Sequence, residues 1–108
     1  MEAESHVYIM RCKDMPYYKL GQAEDVEKRL SAVQCGCPFK LEVVFWAQVG
    51  SPNKIETALH KKYQYQRMQG EWYLLPRKDY YEIVEHLIRN SLFHKDMQEE
   101  LELAARQN

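Results

Sequence analysis

The sequence has no apolar run approaching the roughly 20 residues of a membrane-spanning helix, which argues against a membrane protein. The first residues are acidic and contain no apolar signal segment, so we expect an intracellular, cytoplasmic chain. Only three cysteines are present and their spacing fits no common zinc motif, which favours free thiols over a metal or redox role. No low-complexity stretch or linker interrupts the 108 residues, so one domain is expected.

Positive and negative charges are nearly balanced, and the net charge of −1 does not indicate a nucleic-acid partner. The charges are nevertheless unevenly placed. Residues 54–78 carry six Lys or Arg against two acidic residues, whereas residues 79–108 carry three against seven. The basic middle and the acidic end cancel in the sum. This pattern leaves nucleic-acid binding open beside the simpler explanation of a solvated helix face.

The first half of the chain alternates between strand-like and helix-like patterns. Residues 6–12 and 17–20 are rich in β-formers and are separated by turn residues, which predicts a hairpin that Gly21 ends. Asp25 is the predicted N-cap of a helix, and the β-branched and aromatic run at residues 41–49 predicts a central strand.

The second half predicts two more helices with a short strand between them. Ser51 followed by Pro52 is typical of a helix start, and this helix is expected to continue through residue 66. Residues 71–76 could form a strand, and Asp79 is expected to cap the last helix. The predicted buried helix stripes are Val26, Leu30 and Val33; Ile55, Leu59 and Tyr63; and Ile83, Leu87 and Ile88.

The order β-β-α-β-α-β-α predicts an α+β domain. We expect a small three-stranded, or slightly larger, antiparallel or mixed sheet flanked by helices, with an added C-terminal helix. Residues 1–94 are assigned to the single domain and residues 95–108 to a helical tail, which could be an extension, a docking arm or frayed.

Two pairs of side chains could carry chemistry. Lys19 and Arg29 flank the Gly21 turn, where two cations near a helix N-terminus could bind an anion such as phosphate. Glu56 and His60 are spaced i, i+4 on one helix face and could help to hold a divalent cation. From spacing alone, a surface arginine paired with an acid and an exposed helix pair are the favoured explanations of these residues. Tyr8 is one of eight tyrosines, most of which are expected to be core.

Taken in order, these residues resemble the GIY-YIG endonuclease superfamily. "HVYI" is similar to the first family motif, with Tyr8 at its tyrosine and His6 in place of the usual glycine. "KLG" is similar to the second motif, with Lys19 at the tyrosine position, and Arg29 falls on the catalytic arginine. Glu56, in "IETALHKKY", falls on the metal-binding glutamate. The "KLG" form together with "GEWYLL" looks most like a phage open-reading-frame branch of the superfamily, over roughly residues 6 to 76.

The resemblance implies a metal-dependent DNA endonuclease that hydrolyses phosphodiester bonds. Glu56 would hold Mg²⁺ or Mn²⁺, with His60 tuning that side of the site, and Arg29 would neutralise charge on the phosphoryl oxygens. Tyr8 would orient or activate the attacking water. Lys19 would act as the general base or, if it stays protonated, as a phosphate clamp, and the base is favoured because it replaces a reactive tyrosine. The remaining cations predicted to contact DNA are Lys28, Lys61, Lys62 and Arg67.

Other functions remain open at this level. Lys19 and His6 depart from the family motifs, and Glu71 and Trp72 lie where the family often has an asparagine. The alternative is a catalytically degenerate module that binds nucleic acid or a protein partner without cleaving. A homodimer or a separate DNA-reading partner is expected, because no DNA-reading domain is visible in the sequence.

Overall fold

The computed structural model describes residues 5–92, which form an antiparallel sheet with helices on both faces. The strands are β1 (Ser5–Cys12), β2 (Tyr17–Ala23), β3 (Leu41–Val49), β4 (Arg67–Gln69) and β5 (Trp72–Leu74). The helices are α1 (Val26–Cys35), α2 (Pro52–Lys62) and α3 (Arg77–Asn90), and a short 3₁₀ turn, Gln64–Gln66, follows α2. The predicted α+β class is confirmed, and the helical tail predicted at residues 95–108 lies outside the described residues.

The five strands lie in the order β3-β1-β2-β5-β4, and every pairing is antiparallel. β1 is therefore the middle one of the three long strands, with β2 and β3 on either side. The prediction that residues 41–49 form the central strand was wrong, because β3 lies at the edge of the sheet. The two faces bury different sets of side chains. One face packs Val7 and Ile9 of β1 with α2 and α3, whereas the opposite face packs Tyr8 and Met10 with α1.

The helix stripes predicted from the 3.6-residue period are confirmed. Val26 is buried, and Leu30 and Val33 pack beside it against the Tyr8 face of the sheet. Leu59, Ile83 and Leu87 are buried in the core on the other face. Asp25 caps α1 as predicted, because its side chain accepts a hydrogen bond from the Lys28 N–H.

Several predicted boundaries were wrong. β2 does not end before Gly21 but continues to Ala23, because its backbone pairs with β1 as far as His6. α2 ends at Lys62 rather than at residue 66, where the chain turns into the 3₁₀ segment. Pro76 occupies the N-cap position of α3, so Asp79 lies inside the first turn of the helix rather than before it.

The outermost strand, β4, was not predicted at all. Its three residues are all exposed and show no alternation, so no local pattern marks them as a strand. β4 exists because it forms a hairpin with β5 around Gly70, whose positive φ of 57° suits a glycine.

We expect the packing of α3 against the sheet to make the largest contribution to the stability of the domain. Leu87→Ala should lower the free energy of unfolding by about 2–5 kcal/mol, because the side chain is fully buried and its removal leaves a cavity. Urea denaturation measures this change. Glu85→Ala on the same helix is the control and should change it by less than about 0.5 kcal/mol, because Glu85 is exposed. Equal effects of the two variants would show that α3 is not packed as described.

Candidate active site

The site lies where β2 runs past the end of β5. β5 pairs with β2 only from Tyr17 to Lys19, and the last backbone contact is the Leu20 N–H donating to the Glu71 carbonyl at 3.1 Å. β2 continues to Ala23 on its other side, where it pairs with β1. The outer edge of β2 near Gly21 is therefore left to side chains from β5 and α2.

Gly21 makes room for two functional groups at this edge. Tyr8 stands directly opposite Gly21 in the β1–β2 register. A Cβ on Gly21 would lie 2.5 Å from the Tyr8 hydroxyl oxygen and 2.8 Å from Oε2 of Glu71. Both distances are shorter than any ordinary contact, so the phenol and the carboxylate occupy the space that a side chain at position 21 would take.

The Tyr8 phenol is held in its protonated form. Its ring is fully buried, and its hydroxyl makes no well-formed hydrogen bond with any described residue. Burial first, and then the nearby charge of Glu71, raise the pKa of Tyr8 to about 12, although Arg29 on α1 lies close enough to oppose the shift. At neutral pH the Tyr8 hydroxyl is therefore protonated and can donate a hydrogen bond. It could act as a base only after losing this proton.

Two carboxylates from different elements meet beside Tyr8. Glu56 on α2 is buried, and Glu71 precedes β5 and accepts a 3.1 Å ion-pair contact from Nζ of Lys19. Burial and the neighbouring Glu71 carboxylate raise the pKa of Glu56. Burial also acts to raise the pKa of Glu71, but hydrogen bonds from Lys19 and Glu56 outweigh it and lower the value overall. Glu71 is thus the ionised member of the pair, and Glu56 takes up a proton more readily.

His60 lies one helical turn after Glu56, and its ring is close to the Glu56 carboxylate. Its Nε2–H donates to the Leu20 carbonyl at 3.0 Å and lies 3.7 Å from Oε1 of Glu56. The ring also stacks on Tyr73, with ring centroids 5.6 Å apart. Glu56, His60 and Glu71 each place one possible ligand atom within 4.8 Å of the others, so the three could share a metal ion. Because Nε2 already donates to a carbonyl, the two carboxylates are the better ligands.

Residues 5–89 match the family model of the T5orf172 domain. The chain belongs to the T5orf172 domain family. This is a phage open-reading-frame domain associated with nuclease-type modules. No curated protein and no solved structure shows a significant match to the chain. Within residues 5–92, no helix is long and apolar enough to cross a membrane.

The T5orf172 domain brings five of the sequence-predicted site residues to this one edge. Arg29 is exposed at the start of α1, where it lines a cleft of about 280 Å³ together with Gln22 and Asn53. The residues that meet around Gly21 are Tyr8, Lys19, Arg29, Glu56 and His60.

The predicted DNA-contacting cations are more dispersed. Lys28 lines a second cleft beside Arg29, on the site side of α1. Lys61 is exposed on α2, whereas Lys62 lies 3.9 Å from Glu82 of α3. Arg67 donates to the Gly70 carbonyl within the outer hairpin.

Glu71 and Tyr73 were missed as site residues by the sequence reasoning. Glu71 follows a glycine turn in "GEW", which signals only an exposed loop carboxylate when read locally. Tyr73 is fully buried beside His60, and its hydroxyl also has no hydrogen-bond partner in the described part of the chain. Their roles depend on pairing between segments about 50 residues apart, which a single sequence does not show.

The tight packing around Gly21 generates a test of the site. We expect Gly21→Ala to displace the Tyr8 hydroxyl and the Glu71 carboxylate, because an added Cβ would overlap both. The melting temperature should fall by several degrees, and any cleavage activity should fall with it. Gly36→Ala is the matched control, since nothing lies within 4 Å of a Cβ at that position. A Gly21→Ala protein with unchanged stability and activity would contradict this packing.

Proposed function

We propose that this T5orf172 domain is a divalent-metal-dependent endonuclease that hydrolyses phosphodiester bonds in DNA. The observation that carries the proposal is the convergence around Gly21 of a buried phenol, two cations and two carboxylates from four different elements and the turn between β4 and β5. A salt bridge formed only for stability would not need Tyr8, whose hydroxyl is buried without a partner among residues 5–92.

The chemistry of the site fits Mg²⁺ or Mn²⁺. Glu56 and Glu71 supply oxygen ligands, which these hard cations prefer. The pKa of Glu56 is raised in part by the closeness of Glu71, so the pair is stabilised by a positive species between its oxygens, either a proton or a cation. When bound, the ion supplies Lewis-acid polarisation of the scissile phosphate and charge near the leaving oxygen. His60 would orient Glu56 through its position one turn along α2.

The cationic side chains would act on the phosphate itself. Arg29 lies at the exposed start of α1, where its guanidinium can form two parallel hydrogen bonds to phosphoryl oxygens. It would thereby neutralise negative charge that grows in the transition state.

Lys19 and Tyr8 have different proposed roles at the phosphate and the attacking water. The sequence left Lys19 as a general base or a phosphate clamp, and its 3.1 Å ion pair with Glu71 favours the clamp, since an ammonium makes this contact. Tyr8, whose pKa is raised to about 12, would donate a hydrogen bond that orients the attacking water or a phosphate oxygen. Lys28, Lys61, Lys62 and Arg67 are proposed to contact the DNA backbone, with a second copy or a separate partner supplying sequence recognition.

Removing one carboxylate tests the metal role. Glu56→Gln should abolish cleavage of plasmid DNA in Mg²⁺ and should also abolish the rise in melting temperature that a bound ion gives the folded state. The matched control is Glu85→Gln, the same chemical change at an exposed carboxylate on α3 that contacts Arg89 rather than the site. It should change neither readout. Full cleavage by Glu56→Gln would remove this residue from the site, and wild-type binding of DNA without cleavage in any divalent metal would support the non-cleaving alternative.

A conservative change separates the two roles of Lys19. A phosphate clamp needs only a cation, so Lys19→Arg should keep turnover within about tenfold of wild type and leave its pH profile unchanged. Lys19→Ala should lose roughly 10²-fold or more. Single-turnover cleavage at several pH values measures both. A dead Lys19→Arg enzyme that folds normally would instead assign the general base to Lys19.

A further inference from the structure

A half-exposed tryptophan lies on the same sheet face as Tyr8. Trp46 stands directly opposite Tyr8 in the β1–β3 register, so both side chains leave the sheet on the same side. α1 covers Tyr8, Met10 and Val43 on this face, but it leaves half of Trp46 open to solvent. A large exposed aromatic surface beside a candidate cleft is a reason to look for a ligand.

His6 lies between Trp46 and the cleft at Arg29, where the phosphate is proposed to bind. The His6 ring packs edge-on against Trp46, with centroids 5.0 Å apart and an interplanar angle of 81°. Its Nδ1–H donates to the Ala23 carbonyl at 3.3 Å. Ala23 lines the 280 Å³ cleft together with Arg29. A chain of contacts therefore runs from the cleft at Arg29 through Ala23 and His6 to Trp46.

We propose that Trp46, held in place by His6, stacks a nucleobase of a single-stranded segment whose phosphate lies at Arg29. The inference rests on the proposed function and adds a substrate class to it: DNA with an unpaired stretch, such as a flap, a fork or a frayed end. Every base has a flat face that stacks on an indole, whereas bases inside a duplex already stack on one another and are not available. The flat aromatic pair suits a base, and the neighbouring guanidinium suits its phosphate.

A nucleic-acid occupant is favoured over a protein partner by this continuity. β3 is an edge strand, so Trp46 could also contribute to an interface with a second copy of the chain. Such an interface would not need the Trp46 surface to connect with Arg29. The two occupants differ in a measurable way, because only a protein interface ties Trp46 to the oligomeric state.

The test compares Trp46→Ala with wild type for binding to a fluorescently labelled oligothymidylate and to a duplex of similar length, in the presence of a chelator. The single-strand Kd should rise about 5- to 150-fold, which is the range that loss of one stacked base predicts, and the duplex Kd should stay the same. Trp46→Phe should keep most of the single-strand affinity. We expect single-strand binding to quench the tryptophan fluorescence of wild type. Trp46→Phe should lose this quenching, because its fluorescence comes from Trp72 alone.

Phe39→Ala is the matched control, because Phe39 is as exposed as Trp46 but lies before β3, at the opposite end of that strand. Its single-strand Kd should not change. Equal losses for single strand and duplex, no loss at all, or a change of oligomeric state in Trp46→Ala by sedimentation would each overturn the inference. If the protein cleaves DNA with a metal ion but Trp46→Ala does not change single-strand binding, only this inference is wrong. If Trp46→Ala weakens single-strand binding but wild type does not cleave, only the proposed nuclease activity is wrong.

Discussion

The close approach of the Tyr8 phenol to the bare Cα of Gly21 is the constraint on which the site depends. The β1–β2 register places these residues opposite each other, and a slip of one residue would send Tyr8 to the other face of the sheet. The same space admits the carboxylate of Glu71, which contacts Lys19 from the position just before β5. Strand pairing, a missing side chain and an ion pair are therefore parts of one arrangement, and none of them builds the site alone.

The charges at this edge are arranged asymmetrically. Lys19 is paired with Glu71, so Glu71 stays ionised. Glu56 is more buried, and His60 and the Gln22 amide partly offset its charge. In the proposed function, Glu56 and Glu71 would hold a divalent cation, whose charge would offset that of the buried Glu56. Glu71 also pairs with Lys19, the proposed phosphate contact, so one carboxylate belongs to both the proposed metal site and the proposed phosphate site.

Much of this fold could be predicted from local patterns, whereas the composition of the site could not. The helix stripes and the Asp25 cap follow from the helical period and from short-range hydrogen bonding, and both are confirmed. Gly21 was taken as a strand breaker because glycine is usually one, yet here it continues β2 so that Tyr8 can pass above it. β4 and the role of Glu71 depend on a hairpin of three-residue strands, which carries no period to detect. Lys19, Arg29 and Glu56 were candidates from their spacing, whereas their catalytic roles and that of Tyr8 came from the resemblance in motif order. The fold then places all four around one edge of the sheet.

The buried polar groups that lack a hydrogen bond in residues 5–92 lie close to the two carboxylates. Within residues 5–92, the buried side-chain polar atoms without a hydrogen bond are the hydroxyls of Tyr8 and Tyr73. Each such group costs roughly 1–3 kcal/mol compared with a satisfied one. Both phenols belong to this site, since Tyr8 lies beside Glu71, and Tyr73 stacks on His60 and has its pKa raised by burial and by the two carboxylates, against the opposing effect of Arg67. A domain of this size has little stability to spare. Both hydroxyls therefore lie beside the carboxylate pair, and in the proposed function the Tyr8 hydroxyl would donate a hydrogen bond to the substrate phosphate or to its water.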